Sequence, residues 1–93
     1  MILKKIKVGK FYLRNRIVIS PMCQYSANNG CPSIWHYDHL GSLMSSGASM
    51  LMIESTSVNM NGRITNKDLC LKNKRQAYEI KKLLIFLKKI NNK

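Results

Sequence analysis

Two short runs of apolar residues, with a helix-length segment between them, constrain the fold of this chain more than any other feature. The first run is Ile17–Ser20 and the second is Met50–Ile53. Neither run has helical spacing, and the first is rich in β-branched residues, so each predicts a buried strand. Strands that are apolar on both faces belong in parallel sheets covered by helices. The chain is therefore expected to contain a βαβ unit.

The segment between the two runs predicts a helix. Ser33 is a suitable N-cap, and the residues that follow it place Leu40, Leu43, Met44 and Gly47 at helical spacing along one face. Gly47 is expected to end this helix, because glycine readily adopts the left-handed conformation found after helix ends.

A second helix is predicted near the C-terminal end of the sequence. Ile80, Leu83, Leu84 and Leu87 follow the i, i+3, i+4, i+7 pattern, with lysines nearby. We expect this apolar stripe to pack against the rest of the fold. A helix lying on an anionic membrane surface is the alternative, because a lysine-rich face opposite leucines also suits lipid headgroups.

The N-terminal segment predicts a β-hairpin. Ile6–Val8 and Phe11–Leu13 flank Gly9 and Lys10, which form a glycine-containing turn. The predicted order is then hairpin, strand, helix, strand, helix. Parallel strands alternating with helices define an α/β fold with right-handed crossovers, in which chemistry concentrates at the carboxyl ends of the strands.

Charge is distributed very unevenly along the 93 residues. The formal net charge is +12, with +6 over residues 1–16, −1 over residues 17–71 and +7 over residues 72–93. A basic chain can bind nucleic acid through its phosphates. The sequence has no zinc-finger, RNA-recognition or helix-turn-helix signature, so nucleic-acid binding is disfavoured and the lysines are interpreted as solvated surface.

The cysteines and histidines do not form a recognisable framework. Cys23, Cys31 and Cys70 are odd in number and lack paired spacing, which argues against structural disulfides. His36 and His39 lie three apart without ligands at zinc spacing. The sequence shows no signal peptide and no apolar stretch long enough to span a membrane, so a cytoplasmic location is predicted.

Both predicted strands end in reactive or polar side chains. Ser20–Tyr25 follows the first strand and Glu54–Thr56 follows the second. If the backbone stays extended, Cys23 and Tyr25 point to the same side, because alternate residues of a strand share a face. The same edge of the sheet would then carry a thiol, a phenol and hydroxyl groups.

Five motifs make the sequence resemble a known family. They are Leu13–Ser26, Trp35-His36, Asp38–Ser42, Ile53–Thr56 and Gly62–Ile64. In order and spacing they resemble the N-terminal portion of the Old Yellow Enzyme family, in particular its bacterial thermophilic-like branch of ene-reductases. The resemblance implies a (β/α)8 barrel with an N-terminal hairpin lid. It also implies that FMN binds at the carboxyl face and that NADPH supplies hydride for reduction of an α,β-unsaturated carbonyl substrate.

The resemblance also implies roles for individual residues. The implied cofactor-binding residues are Ser20, Pro21, Met22, Cys23 and Ser55. Cys23 resembles a thiol that tunes the flavin potential, and Tyr25 is placed to donate a hydrogen bond to the substrate carbonyl. Ser55 stands where the family usually has alanine. Without the resemblance, the favoured interpretations are that Cys23 is a small buried hydrophobic residue, that Tyr25 is a surface aromatic, and that His36 and His39 form the polar flank of a helix. Glu54 is given no catalytic role, and Arg63 is expected to shape its loop.

A complete barrel of this kind needs about 250 residues. Residues 1–93 are therefore interpreted as the N-terminal part of one FMN-binding barrel domain, comprising the hairpin and the first two βα units. The family's later substrate-binding and phosphate-binding segments have no counterpart in this sequence. We expect a truncated or split enzyme that depends on the remainder of the barrel as a separate chain. The alternative is a non-catalytic remnant or basic module that binds nucleic acid or another chain.

Overall fold

The structure is a computed structural model and describes residues 1–91. Its helices are α1, Ile34–Met44, and α2, Lys74–Asn91, and a single 3-10 turn covers Met60–Gly62. Its strands are β1 (Ile6–Val8), β2 (Phe11–Leu13), β3 (Val18–Ile19), β4 (Met50–Leu51), β5 (Thr56–Ser57) and β6 (Leu69–Cys70). The strands form three separate two-stranded sheets within the described residues.

The N-terminal hairpin is confirmed. Strands β1 and β2 pair antiparallel from Ile6 opposite Leu13 to Val8 opposite Phe11. Gly9 has a φ of +60°, a left-handed conformation that suits the tight turn between the strands. Phe11 of the hairpin is largely exposed to solvent, so its ring contributes little buried apolar surface.

The predicted βαβ unit is also confirmed. Strands β3 and β4 run parallel, with Val18 opposite Met50 and Ile19 opposite Leu51, and α1 connects them. The strands are shorter than the predicted runs. Pairing stops at Ile19, two residues before Pro21, and at Leu51 opposite it.

Polar side chains fix the start of this strand pair. The Asn15 side-chain amide donates to the Gly47 carbonyl at 2.8 Å and its Oδ1 accepts from the Ile17 amide at 3.0 Å. The Ser49 hydroxyl donates to the Asn15 carbonyl at 2.8 Å. These bonds tie the segment before β3 to the segment before β4, which favours one register of the pair.

A second parallel pair was not predicted. Strand β5 pairs with β6, Thr56 opposite Leu69 and Ser57 opposite Cys70, across a segment interpreted from sequence as a loop. Arg63 braces that segment by donating from Nε to the Met60 carbonyl at 2.9 Å, which confirms its expected role in shaping the loop. Two-residue strands are too short to produce an alternating pattern, so the sequence offered no sign of this pair.

The core lies between the two helices and β4. Leu40, Leu83 and Leu87 are buried in one cluster. The residues that pack around this cluster are Tyr37, Leu43, Met44, Leu51 and Ile53. The predicted packing of the α2 stripe is confirmed, although Leu84 is 39% exposed at the edge of the stripe.

The end of α1 differs from the prediction. The helix stops at Met44, and the backbone amide of Ser45 still donates to the Gly41 carbonyl at 3.1 Å. Gly47 adopts a φ of +104° three residues beyond the last helical residue. The glycine therefore turns the chain toward β4 rather than ending the helix itself. Neither helix in residues 1–91 is both long and apolar enough to cross a bilayer.

Candidate functional site

The segments after β3 and β4 leave the same edge of a parallel pair. Ser20 directly follows β3, and Ser55 lies four residues beyond the end of β4. The Met52 amide donates to the Ile19 carbonyl at 3.0 Å, which holds the two strand ends together. Ser20, Pro21 and Ser55 are exposed. The structure thus brings the two predicted segments to one edge, as expected for parallel strands.

The loop after β3 presents both apolar and polar surface. Met22 is 51% exposed and Cys23 is partly buried. No main-chain hydrogen bond within residues 1–91 uses the backbone amides of Met22 and Cys23. Apolar surface beside free amide donors can cover an aromatic ring and bind the polar edge of the same ring system. The loop therefore fits the chemistry of a flavin.

Gln24 anchors this loop to helix α1. Its Oε1 accepts a hydrogen bond from Trp35 Nε1 at 2.9 Å, and its Nε2 donates to the Met22 carbonyl at 2.9 Å. The Ser26 hydroxyl donates to the Gln24 carbonyl at 2.9 Å. Sequence reasoning missed Gln24, because a bond between residues eleven positions apart leaves no local pattern. These bonds hold the loop in shape.

Tyr25 departs from the predicted backbone. Its φ is +53°, in the left-handed region, so extended geometry does not continue from Cys23 to Tyr25. The prediction that Cys23 and Tyr25 share a face through strand alternation is therefore wrong. A left-handed conformation costs an ordinary residue about 1–2 kcal/mol. Such strain is concentrated at functional sites, and the Tyr25 side chain is half exposed.

A buried polar pair lies behind the exposed residues. His36 in the first turn of α1 is fully buried, and its Nε2 lies 3.3 Å from Oε2 of Glu54, which is also buried. From the sequence, His36 was predicted only to flank a helix and Glu54 only to follow a strand. The nearest available signal was the His36 position three residues after the N-cap Ser33, a place where a side chain can reach back to the cap.

The three cysteines occupy different environments. Burial raises the pKa of the Cys31 thiol, the Arg75 charge opposes this shift and the Glu79 charge adds to it. A raised pKa leaves little thiolate at neutral pH, so Cys31 is a poor nucleophile. Cys70 is fully buried in β6, which leaves Cys23 as the thiol at the strand ends. Residues 1–91 contain no group of three or more potential ligands that could hold a metal ion.

Comparison with known proteins identifies the family. A family model described as NADH:flavin oxidoreductase / NADH oxidase matches residues 1–92. The chain belongs to this family. The family's name refers to two cofactors, flavin and nicotinamide.

Curated relatives support the membership. An NADPH dehydrogenase of Bacillus cytotoxicus is 39% identical over 83 residues, which are 87% of this chain and 24% of that protein. An NADH:flavin oxidoreductase of Gibberella zeae is 39% identical over 72 residues, 77% of this chain and 17% of that protein. The chain thus spans only about a fifth of the length of these relatives.

Solved structures define the fold. The Old Yellow Enzyme from Pichia sp. AKU4542 superposes with a TM-score of 0.84 at 21% identity, covering 97% of this chain and 24% of that one. Morphinone reductase gives a TM-score of 0.84 at 15% identity, covering 96% of this chain and 23% of that one. At these identities the likeness concerns the fold alone. The predicted fold class is confirmed as part of a (β/α)8 barrel with its hairpin and first two βα units.

Proposed function

We propose that this chain forms the part of an FMN-dependent NADPH oxidoreductase that lies against the flavin ring. FMN, when bound, would supply hydride-transfer chemistry between NADPH and an α,β-unsaturated carbonyl compound. The observation that carries this proposal is the parallel pairing of β3 and β4, which brings the exposed Ser20–Tyr25 loop and Ser55 to one edge of the sheet in a member of this family.

The proposed cofactor-binding residues contribute different chemistry. They are Ser20, Pro21, Met22, Cys23 and Ser55. The backbone amides of Met22 and Cys23 have no main-chain partner in residues 1–91 and would bind the polar edge of the ring. Met22 supplies apolar cover, and the Cys23 thiol supplies a polarizable group beside the ring. Ser55 is exposed and free to approach the ring closely.

We propose Tyr25 as the substrate-binding residue. Its phenol is half exposed, so its hydroxyl is available to donate a hydrogen bond to an enone carbonyl. Its left-handed backbone turns the chain at this residue, and the Gln24 bonds to Trp35 and Met22 hold the turn in place. A rigid donor binds with less loss of conformational entropy than a mobile one.

The proposed site requires the further βα units of a complete barrel. Within residues 1–91, β3 and β4 pair only with each other, so each has one unpaired edge. Val18 and Met52 expose apolar surface beside these edges. Unpaired edges and uncovered apolar side chains are places where further strands add. The additional βα units would bring the phosphate-binding segments that no part of this sequence replaces.

A basic interaction module is the second candidate function. The observation that favours it is the charge of +7 over residues 72–93, much of it on the exposed face of α2, where Lys81, Lys82, Lys88 and Lys89 are solvent-accessible. Such a face attracts polyanions through counterion release. This candidate predicts retention on heparin in the absence of flavin binding.

A chimera tests the proposed function. Residues 1–93 would replace the matching N-terminal quarter of the Bacillus cytotoxicus NADPH dehydrogenase, and the purified protein would be titrated with FMN and then with NADPH without oxygen. We expect a bound yellow flavin that bleaches on reduction, as in the parent enzyme. The parent without its N-terminal quarter is the control and should bind no flavin. A folded but colourless chimera, retained on heparin, would favour the basic module instead.

A further inference from the structure

The buried pair of His36 and Glu54 connects a helix to a strand end. His36 is the third residue of α1, and Glu54 immediately precedes Ser55. The side chains are essentially inaccessible to solvent, and His36 Nε2 lies 3.3 Å from Glu54 Oε2. Buried ionisable groups are retained only where their partners compensate for the loss of water. The pair therefore needs a physical explanation.

The hydrogen bond on the other ring nitrogen fixes the proton of His36. The backbone amide of Ser33 donates to Nδ1 at 3.0 Å, so Nδ1 must be an acceptor. In a neutral imidazole the proton then lies on Nε2, the nitrogen that faces Glu54. A proton on Nδ1 would point at the Ser33 amide hydrogen and break this bond. His36 therefore presents one N–H donor to the carboxylate.

The His36 Nε2 donor and the two Glu54 acceptors lack other hydrogen-bond partners in the part of the chain that the structure describes. Within residues 1–91, Nε2 and both Glu54 oxygens have no well-aligned hydrogen-bond partner, although the distance between them is short. Buried polar groups almost always find a partner, and at 3.3 Å the two side chains are within ion-pairing distance of each other. The first turn of α1 contains no acidic residue, and the carboxyl group that approaches this turn is that of Glu54.

We propose that His36 is a positioning residue that carries a hydrogen bond from the cap of α1 to Glu54 and so holds the end of β4 in place. Ser55, the next residue, is positioned as a consequence. The importance of this for the flavin rests on the proposed function, whereas the hydrogen-bond relay itself does not. The relay can therefore be tested on the full chain without any cofactor.

Two amide variants separate the two ends of the relay. In His36→Asn the side-chain oxygen can occupy the place of Nδ1 and accept from Ser33, but nothing reaches Glu54. In His36→Gln the side-chain NH2 can occupy the place of Nε2 and donate to Glu54, but the bond from Ser33 is lost. Glu54→Gln is the matched control, because its carbonyl oxygen can still accept from Nε2.

The test combines NMR of the imidazole nitrogens with amide hydrogen exchange of the 93-residue chain. We expect the Nε2–H tautomer in the wild-type chain. His36→Asn should increase exchange of the Met52 amide, which bonds Ile19 across the strand ends, about tenfold while sparing Ser33, consistent with losing one hydrogen bond to a charged group. His36→Gln should do the reverse, and Glu54→Gln should leave both amides protected.

Three results would overturn the relay. They are an Nδ1–H tautomer, equal effects of His36→Asn and His36→Gln on the two amides, and an unprotected Met52 amide in the wild-type chain. A chimera that fails to bind FMN while these exchange patterns hold would count against the proposed function alone. The two proposals can therefore fail independently.

Discussion

Replacing Gly30 with alanine will lower the free energy of unfolding by about 2–5 kcal/mol, combining a left-handed backbone penalty with overpacking. Gly30 has a φ of +80°, and an added Cβ would lie 2.8 Å from the Cys70 Cβ and would also overlap the Gln76 side-chain amide. Gln76 cannot move cheaply, because its Nε2 donates to the Asn29 carbonyl and its Oε1 accepts from the Lys72 amide. The substitution therefore forces apart the junction of β6 and the start of α2.

Gly9→Ala is the matched control for this substitution. Gly9 has a similar φ of +60°, but an added Cβ would meet nothing within 4 Å. Gly9→Ala should lower the free energy of unfolding only by the backbone penalty of about 1–2 kcal/mol. Urea unfolding followed by the helical far-UV signal measures both variants. Equal losses would show that the contact of Gly30 with Cys70 and Gln76 is not a tight one.

Replacing Leu83 with alanine will lower the free energy of unfolding by about 2–5 kcal/mol, because it leaves a cavity in the only buried cluster of the described core. Leu83 is 1% exposed and packs with Leu40 and Leu87. No polar group or water can fill the space without further loss. The same urea experiment measures the effect.

Leu84→Ala is the control on the neighbouring position. Its side chain is 39% exposed, so the same change of residue should cost less than about 1 kcal/mol. Both variants change helix propensity by the same amount. The difference between their free energies of unfolding therefore reports burial alone. Equal destabilisation by the two variants would contradict the burial of Leu83 between α2 and the rest of the core.

Local patterns predicted the elements whose residues are neighbours in sequence. The hairpin, both helices and the parallel pairing of β3 with β4 followed from periodicity, turn residues and the general topology of α/β folds. Each of these depends on interactions within a few residues or on a rule that applies to all such folds. The length of the strands could not be predicted, because it depends on where the partner strand stops.

Long-range contacts account for what the sequence did not predict. Strand β5 pairs with β6 across a loop, and Trp35 donates a hydrogen bond to Gln24 across another. The His36–Glu54 contact joins residues of different elements, which no single window of sequence contains. The left-handed backbone at Tyr25 is imposed by its surroundings against the preference of the residue. All of these features except the β5–β6 pair belong to the candidate site, where local rules are most often broken.

The most direct test of the central claim is the reduction potential of flavin bound to the chimera. The claim is that the loop after β3 lies against the flavin ring, so Cys23→Ala should shift the midpoint potential, since a polarizable thiol beside the ring alters the relative stability of its redox states. Cys31→Ala is the control thiol, on the loop between β3 and α1, and should leave the potential unchanged. A potential that responds to neither substitution, or only to Cys31→Ala, would contradict the account.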